Sequence, residues 1–332
     1  MKAAVHTEYG PPEVVRIMEL PKPTPKDNEI LVRVYAATVN RTDAGFRSAV
    51  YVISRLFSGL FKPKQQILGC EFAGVVAACG KSVKNFKVGH RVFGYNDETF
   101  GAHAEYLTIA ETDAVTHMPI HFSMEEAAAI GEGAHYALFN IRAAKVQKGD
   151  KVLVYGATGA IGSAAVQLLK YFGAKVTAVC NTKNVALVKG LGANIVIDYQ
   201  TQDFTDTKEH YSFIFDAVGK SSFGACKPLL TPHGIYISTE LGKRSENIFL
   251  ALITPLFKGK KVLFPIPIMN KVMLVFLKDL AEGGYFSPVI DREYKLNQIV
   301  EAYRYVESEQ KTGNVIISMV KEEEKFTTEI NP

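Results

Sequence analysis

Lys151-Val152-Leu153-Val154-Tyr155-Gly156-Ala157-Thr158-Gly159-Ala160-Ile161-Gly162 is the stretch on which the fold turns. Its first five residues lean apolar and read as a buried strand. Three glycines follow at the spacing GxxGxxG, and a helix is predicted over 161–172. Each glycine has a physical purpose. Gly156 and Gly159 permit a tight turn and let backbone approach a pyrophosphate. Gly162 lets the helix pack closely on the strand. The helix N-terminus then offers unpaired N–H groups and the positive end of its dipole to phosphates. Gly156, Ala157, Thr158, Gly159, Ala160, Ile161 and Gly162 are therefore the candidate dinucleotide cradle. Glycine spacing alone is weak; the strand-turn-helix context gives it force, and a glycine-rich turn without a ligand is the alternative.

Outward from this loop the pattern alternates. Strands are predicted at 174–180, 195–197, 213–216, 234–238 and 261–264, with a helix at 184–191. That alternation implies parallel strands with crossover helices on both faces, a doubly wound α/β sheet. The first 120 residues differ. Glu29–Ala37 alternates as a strand should, Phe72–Gly80 and Arg91–Gly94 read as two more, and together they suggest an all-β, barrel-like unit. Ser123 and Glu126 have the spacing of a capping box that opens an alanine-rich helix. A last strand at 313–320 is assigned back to the first unit. The expected division is 1–121 with 285–332, and 122–284 inserted between them. Glu322-Glu323-Glu324-Lys325 reads as a solvated tail.

Composition narrows the possibilities. The chain has 332 residues, 47% of them hydrophobic and 22% charged, which suits about two globular domains and argues against disorder. The run Ile248–Phe257 is too short to cross a bilayer, which takes about 20 residues. A formal charge of +4 without a dense basic tract gives no sign of nucleic acid or a membrane surface as partner. The four cysteines, Cys70, Cys79, Cys180 and Cys226, form no CxxC pair and are expected as free thiols. With no secretory signal at Met1–His6, the expected location is the cytoplasm.

The second strand of the nucleotide unit selects the dinucleotide. NAD-type sites place Asp or Glu about 20 residues beyond the glycines, on the ribose 2′-hydroxyl. Here the strand runs out through Cys180, Asn181, Thr182 and Lys183, with no carboxylate to repel a 2′-phosphate. Asn181 and Thr182 can donate hydrogen bonds, and Lys183 supplies positive charge. The reading is NADPH/NADP, with a solvated helix-start lysine as the alternative for Lys183.

Several further stretches carry a resemblance: Met1-Lys2-Ala3-Ala4-Val5, Ala37–Asp43, Leu68–Val76, Val88–Gly94, Gly101–Tyr106, Phe215–Gly219 and Thr312–Val315. With the glycine loop they make the chain resemble the medium-chain dehydrogenase/reductase superfamily, in its zinc-independent quinone oxidoreductase-like branch, over nearly the whole length. The resemblance implies a GroES-like β-barrel domain beside a Rossmann NADP-binding domain. In zinc-dependent relatives one cysteine ligand falls at Asn40 and a histidine ligand at Cys70. Gly131-Glu132-Gly133, where a third would come, offers no thiolate. No metal is expected, because catalytic zinc needs three protein ligands and an open position.

Without a Lewis acid, simple alcohol oxidation loses ground. The resemblance implies hydride transfer from NADPH to a quinone or an activated enone, whose conjugated oxygen takes up the charge. Asn40 is the first candidate to hydrogen-bond that oxygen, with Thr42 second and Tyr51 a possible proton donor. A turn-forming amide is the alternative for Asn40, and packing for Tyr51. His103 and His135 read as structural. The resemblance adds Tyr199 at the adenosine end, Val218, Gly219 and Thr239 after later strands, and Asn314 on the nicotinamide side. Phe46, Phe57, Phe61 and Phe93 are candidates for an apolar pocket or for core. The family's pairing of last strands predicts a homodimer through Lys261–Ile268. Two other readings stay open: an alcohol dehydrogenase, kept alive by Cys70, and an NADPH-binding sensor or interaction protein without significant turnover.

Overall fold

The computed structural model describes residues 1–49 and 55–319, with Leu56 and Phe57 described in backbone only. Tyr51, the tail at Glu322–Lys325 and the side chain of Phe57 lie outside the described residues. The chain forms two units. One comprises Met1–Glu132, Met269–Glu282 and the described residues from Val289 onward; the other comprises Gly133–Ile268 and Gly283–Pro288. Two pieces thus lie across the boundaries expected from sequence. The helix Met124–Ala128 rests on the strands Glu29–Val39 and Glu71–Cys79. The helix Lys271–Glu282 is tied to the barrel unit through the Lys271 ammonium, which donates to the Glu111 carbonyl at 2.5 Å.

In the second unit six parallel strands are described, in the order Ile195–Asp198, Lys175–Cys180, Lys151–Tyr155, Tyr211–Asp216, Leu230–Ser238, Lys261–Leu263. Numbered along this unit, that is 3-2-1-4-5-6, the doubly wound order of a dinucleotide-binding sheet. The central strand explains itself: Val152, Leu153 and Val154 are fully buried. Burial on both faces is what a continuous apolar run requires, and each such side chain contributes roughly 1.5–3 kcal/mol. The helix Ala160–Tyr171 lays Ala164, Ala165, Val166, Leu168 and Leu169 into the core. Its buried Gln167 exchanges two hydrogen bonds with the backbone of Ser287, at 2.9 and 3.0 Å, fastening the returning segment Gly283–Pro288.

The first unit is organised by the strand Glu29–Val39. One of its edges pairs antiparallel with Glu71–Cys79. Tyr106–Ala110 pairs with its first half and Asn314–Ser318 with its last residues. The C-terminal strand therefore does return to this unit. Arg91–Tyr95, Val115–His117 and Ile290–Lys295 complete the sheet. Register shifts between Leu31 and Val32 and between Val34 and Ala36 bend the long strand, which is how a bulge turns a sheet toward a barrel. The capping box at Ser123 and Glu126 forms as expected, but its helix stops at Ala128 and a second begins at Gly131.

Candidate active site

In the second unit the site is made mostly of backbone. The loop Gly156–Gly162 leaves the strand Lys151–Tyr155 beside the strand Tyr211–Asp216, where the strand order reverses. In open α/β sheets that switch point is where ligands bind. Gly156 sits at φ +79°, and a Cβ on it would meet the Val218 side chain at 2.5 Å. A Cβ on Gly162 would lie 2.0 Å from the Gly156 carbonyl oxygen, so only glycine permits this crossing of helix and loop. Gly159 caps the helix Ala160–Tyr171 with no side-chain hydrogen bond, and a Cβ there would point into open space. An uncapped twelve-residue helix facing open space fits a dinucleotide pyrophosphate.

The following loops complete this edge. Buried Asp216 accepts hydrogen bonds from Val218 N, Gly219 N and Ser221 N at 3.2, 2.8 and 2.9 Å and from the Tyr236 hydroxyl at 3.2 Å. Burial raises its pKa, so these four donors are what keep a carboxylate acceptable there. Asp216 therefore shapes the loop holding Val218 and Gly219. Thr239 N donates to the Asp216 carbonyl at 3.1 Å.

At the second strand's end Cys180 is buried, and the Asn181 side-chain oxygen accepts from Asn184 at 2.8 Å. Lys183 is exposed on the turn Thr182–Asn184. Thr182 differs from expectation: its hydroxyl donates to the Asp198 carboxylate at 2.6 Å, so its proton is already engaged. Tyr199 is exposed, with its backbone N–H bonded to the Cys180 carbonyl.

In the first unit the site is made of side chains. Asn40 caps the helix Arg41–Ser48, its side-chain oxygen accepting from Asp43 N at 2.9 Å. Its amide nitrogen donates to the Cys70 sulfur at 3.0 Å. The Cys70 thiol faces Glu132 Oε2 at 3.6 Å. Glu132 also accepts from the Thr42 hydroxyl at 2.6 Å and the Tyr95 hydroxyl at 2.9 Å. Its own backbone N–H donates to Glu71 Oε1 at 2.6 Å, and Thr38 bonds the other Glu71 oxygen. Burial first, then the Glu132 charge, pushes Glu71 up to about 8. Burial also raises Glu132, and it holds the Cys70 thiol far above its ordinary value.

This donor set does not fit zinc. A zinc site of this kind takes a thiolate and deprotonated nitrogen or oxygen ligands. Here an amide N–H points at the sulfur and the carboxylate already has three donors. Among the described residues no group of three or more His, Cys, Asp and Glu side chains is arranged to hold a metal ion.

The structure brings Asn40 and Thr42 into one cluster; Asn40 is 5% exposed, whereas Thr42 is half-buried and more accessible. Asn314 belongs to the same unit but is turned to the Val289 carbonyl, to which its side chain donates at 3.0 Å. His103 is structural: fully enclosed, bonded to the Thr38 carbonyl at 2.8 Å, and pushed down to about 4 by burial. Phe46 lies tilted against Phe100 with ring centroids 4.8 Å apart, Phe93 is core and Phe61 is exposed. Sequence reading missed Glu71, Tyr95 and the part played by Glu132. One signal was available: Glu132 is the only charge in the otherwise small and apolar stretch Ala127–Ala134.

Comparison with known proteins agrees with this architecture. The alcohol dehydrogenase GroES-like domain matches residues 26–120, and the zinc-binding dehydrogenase domain matches 191–317. The chain is 30% identical to a 2-methylene-furan-3-one reductase of Solanum lycopersicum, over 96% of this chain and 79% of that one. It belongs to the medium-chain dehydrogenase/reductase superfamily, in the quinone oxidoreductase-like branch. It is 27% identical to the chloroplastic NADPH-dependent alkenal/one oxidoreductase of Arabidopsis thaliana, over 96% of this chain and 79% of that one. The solved quinone oxidoreductase of Coxiella burnetii superposes with a TM-score of 0.85 at 25% identity, covering 96% of this chain and 99% of that one. The zinc-binding description of the second match covers the nucleotide unit's later half and the later segments of the barrel unit, and the Asn40–Cys70–Glu132 cluster lies outside it.

Proposed function

We propose that this protein is a zinc-independent oxidoreductase that moves hydride from NADPH to a quinone or an activated enone. The observation that carries the reading is the cluster of Asn40, Cys70 and Glu132, in which hydrogen bonds occupy the positions where zinc-dependent relatives keep ligands. NADPH supplies the hydride when bound. The glycine loop and the N-terminus of the helix Ala160–Tyr171 hold its pyrophosphate, with Lys183 and Asn181 toward the 2′-phosphate and Tyr199 beside the adenosine. Val218, Gly219 and Thr239 line the remainder. Thr42 donates a hydrogen bond to the acceptor oxygen as negative charge develops, which a quinone or enone spreads over its conjugated system. Asn40, its amide on Cys70 and its oxygen on Asp43, caps the helix that carries Thr42. The Thr182–Asp198 bond shifts the burden of 2′-phosphate recognition onto Lys183.

We also read the protein as a cytoplasmic homodimer. The strand Lys261–Leu263 pairs on one side only among the described strands, and Phe249, Leu252, Phe257 and Ile266 around it are exposed. Four free cysteines suit a reducing compartment. No helix among the described residues is long and apolar enough to cross a membrane.

The test is loss of nicotinamide absorbance with a small para-quinone and with an α,β-unsaturated ketone, in chelator-treated buffer. NADPH should be consumed with at least one of them and NADH much more slowly. Preference for NADH removes the Lys183 assignment. Turnover of an alcohol that depends on added zinc overturns the whole reading.

A further inference from the structure

The cluster beneath Thr42 continues to the surface. Thr42 Oγ1 donates to Glu132 Oε1 at 2.6 Å, and the Tyr95 hydroxyl donates to the other Glu132 oxygen at 2.9 Å. The same Tyr95 hydroxyl lies 3.5 Å from Asp97 Oδ2. Thr42 and Asp97 are half-buried, while Tyr95 and Glu132 between them are 3% and 5% exposed. Four oxygen-bearing groups thus run from half-buried Asp97, through the interior, to the half-buried Thr42. All belong to one unit. We propose that Asp97, Tyr95 and Glu132 form a proton-conducting chain that reloads the Thr42 hydroxyl from solvent during reduction of the acceptor.

This inference rests on the proposed reductase activity. An acceptor that has gained a hydride carries negative charge on its oxygen and needs one proton. The Thr42 O–H bond breaks and its proton passes to that oxygen. Thr42 takes a proton from the Glu132 carboxyl, Glu132 takes the Tyr95 phenolic proton, and Tyr95 takes one from Asp97. Asp97 is reprotonated by a hydronium ion. Hydride plus this proton completes a two-electron reduction, with one solvent proton consumed. Between turnovers the Thr42 hydroxyl turns from Glu132 to donate outward, the Glu132 proton passes from Oε2 to Oε1, and the Tyr95 hydroxyl turns back to Glu132.

The surroundings suit a group that must hold and release a proton. Glu132 faces Glu71, Asp43, Cys70, Tyr95, Asp97 and, at longer range, the Lys311 ammonium. Burial raises both Glu132 and Asp97, and the Asp97 and Glu132 charges oppose each other. Two neighbouring buried carboxyls, Glu71 and Glu132, do not both ionise readily, so the pair retains a proton close to neutral pH. Glu132, Tyr95 and Asp97 act through Thr42 and are positioning residues.

Three variants test the chain. Glu132→Gln keeps the shape but leaves one accepting oxygen in place of two and cannot pass a proton. It should lower kcat by about 100-fold, the usual scale of general acid–base help, with acceptor KM and NADPH affinity unchanged. The alkaline fall of kcat in the wild type should flatten in this variant. Tyr95→Phe should support a normal first turnover and then slow, giving a burst of one equivalent. Asp97→Asn should lose part of its rate and regain it as a small buffer acid is added. Wild-type kcat and pH profile in Glu132→Gln, or no burst in Tyr95→Phe, overturns the chain. Infrared titration judges it without turnover, so failure of the reductase reading itself stays distinguishable. The wild type should show a buried carboxyl band near neutral pH that changes in Glu132→Gln and persists to higher pH in Tyr95→Phe, where Glu132 has lost a donor. A band unaltered in both variants overturns the proposal.

Discussion

The glycine loop of the second unit and the polar cluster of the first solve opposite problems. At Gly156–Gly162 the protein removes side chains, leaving open space before the helix N-terminus, and one added methyl at Gly162 would collide with a carbonyl oxygen. Around Glu132 it crowds side chains together: two buried carboxyls, a thiol, an amide and three hydroxyls satisfy one another. The first site depends on steric absence and tolerates changes of polarity nearby. The second depends on proton count and tolerates changes of shape only when each donor keeps an acceptor.

The sharpest way to break this contrast is Gly162→Ala. Its Cβ meets backbone atoms that cannot move aside, so loss of about 3 kcal/mol of stability is expected, together with NADPH binding. Thermal unfolding and fluorescence titration read both. If the variant folds and binds normally, the loop is not under the steric control described.

Gly159→Ala separates binding from folding. Its φ of −69° suits alanine and its Cβ meets no protein atom, so the melting temperature should hold. NADPH affinity should nevertheless fall by about tenfold or more, because the methyl occupies the approach to the pyrophosphate. Unchanged affinity would remove the loop as the phosphate site.

For the side-chain cluster the corresponding probe is Glu71→Gln, read as stability against pH. Glu71 has a folded pKa of about 8, above the unfolded carboxyl value. Between those values the folded state binds more protons than the unfolded state, so stability declines as pH rises through this window. The slope is at most about 1.4 kcal/mol per pH unit for one group. Glu71→Gln should flatten that decline between pH 5 and 8, measured by denaturant unfolding at each pH. An equal decline in the variant would mean that Glu71 is not the titrating group.

The smallest effect is expected at Lys183, an exposed residue. Lys183→Ala should weaken NADPH by several-fold to about tenfold and leave NADH unchanged, consistent with a solvent-screened charge. Comparison of the two dissociation constants tests it.

Much of the second unit was legible in the amino-acid order. Strand, glycine spacing and helix lie within Lys151–Tyr171, and helix start, loop and strand are local consequences of local residues. The alternation that followed implied the parallel sheet. The first unit's barrel character and the return of Asn314–Ser318 to it were also readable along the chain. The breaks were at joints: the helix opened by Ser123 stops at Ala128, and Lys271–Glu282 groups with the barrel unit through long-range contacts to Phe86, Glu111 and the strand Val115–His117.

The amino-acid order by itself determined the glycine loop, the absence of a carboxylate at Asn181–Lys183, and the amide in place of a thiol at Asn40. Those are properties of residue identity at a position. Only the tertiary structure decided that Thr182 spends its hydroxyl on Asp198, that Asn40 turns its amide to Cys70, and that Glu132 gathers Thr42, Tyr95 and Cys70. Thr42 and Glu132 are 90 residues apart in the chain. A hydrogen bond depends on distance and direction in space, and the folded sheet supplies both.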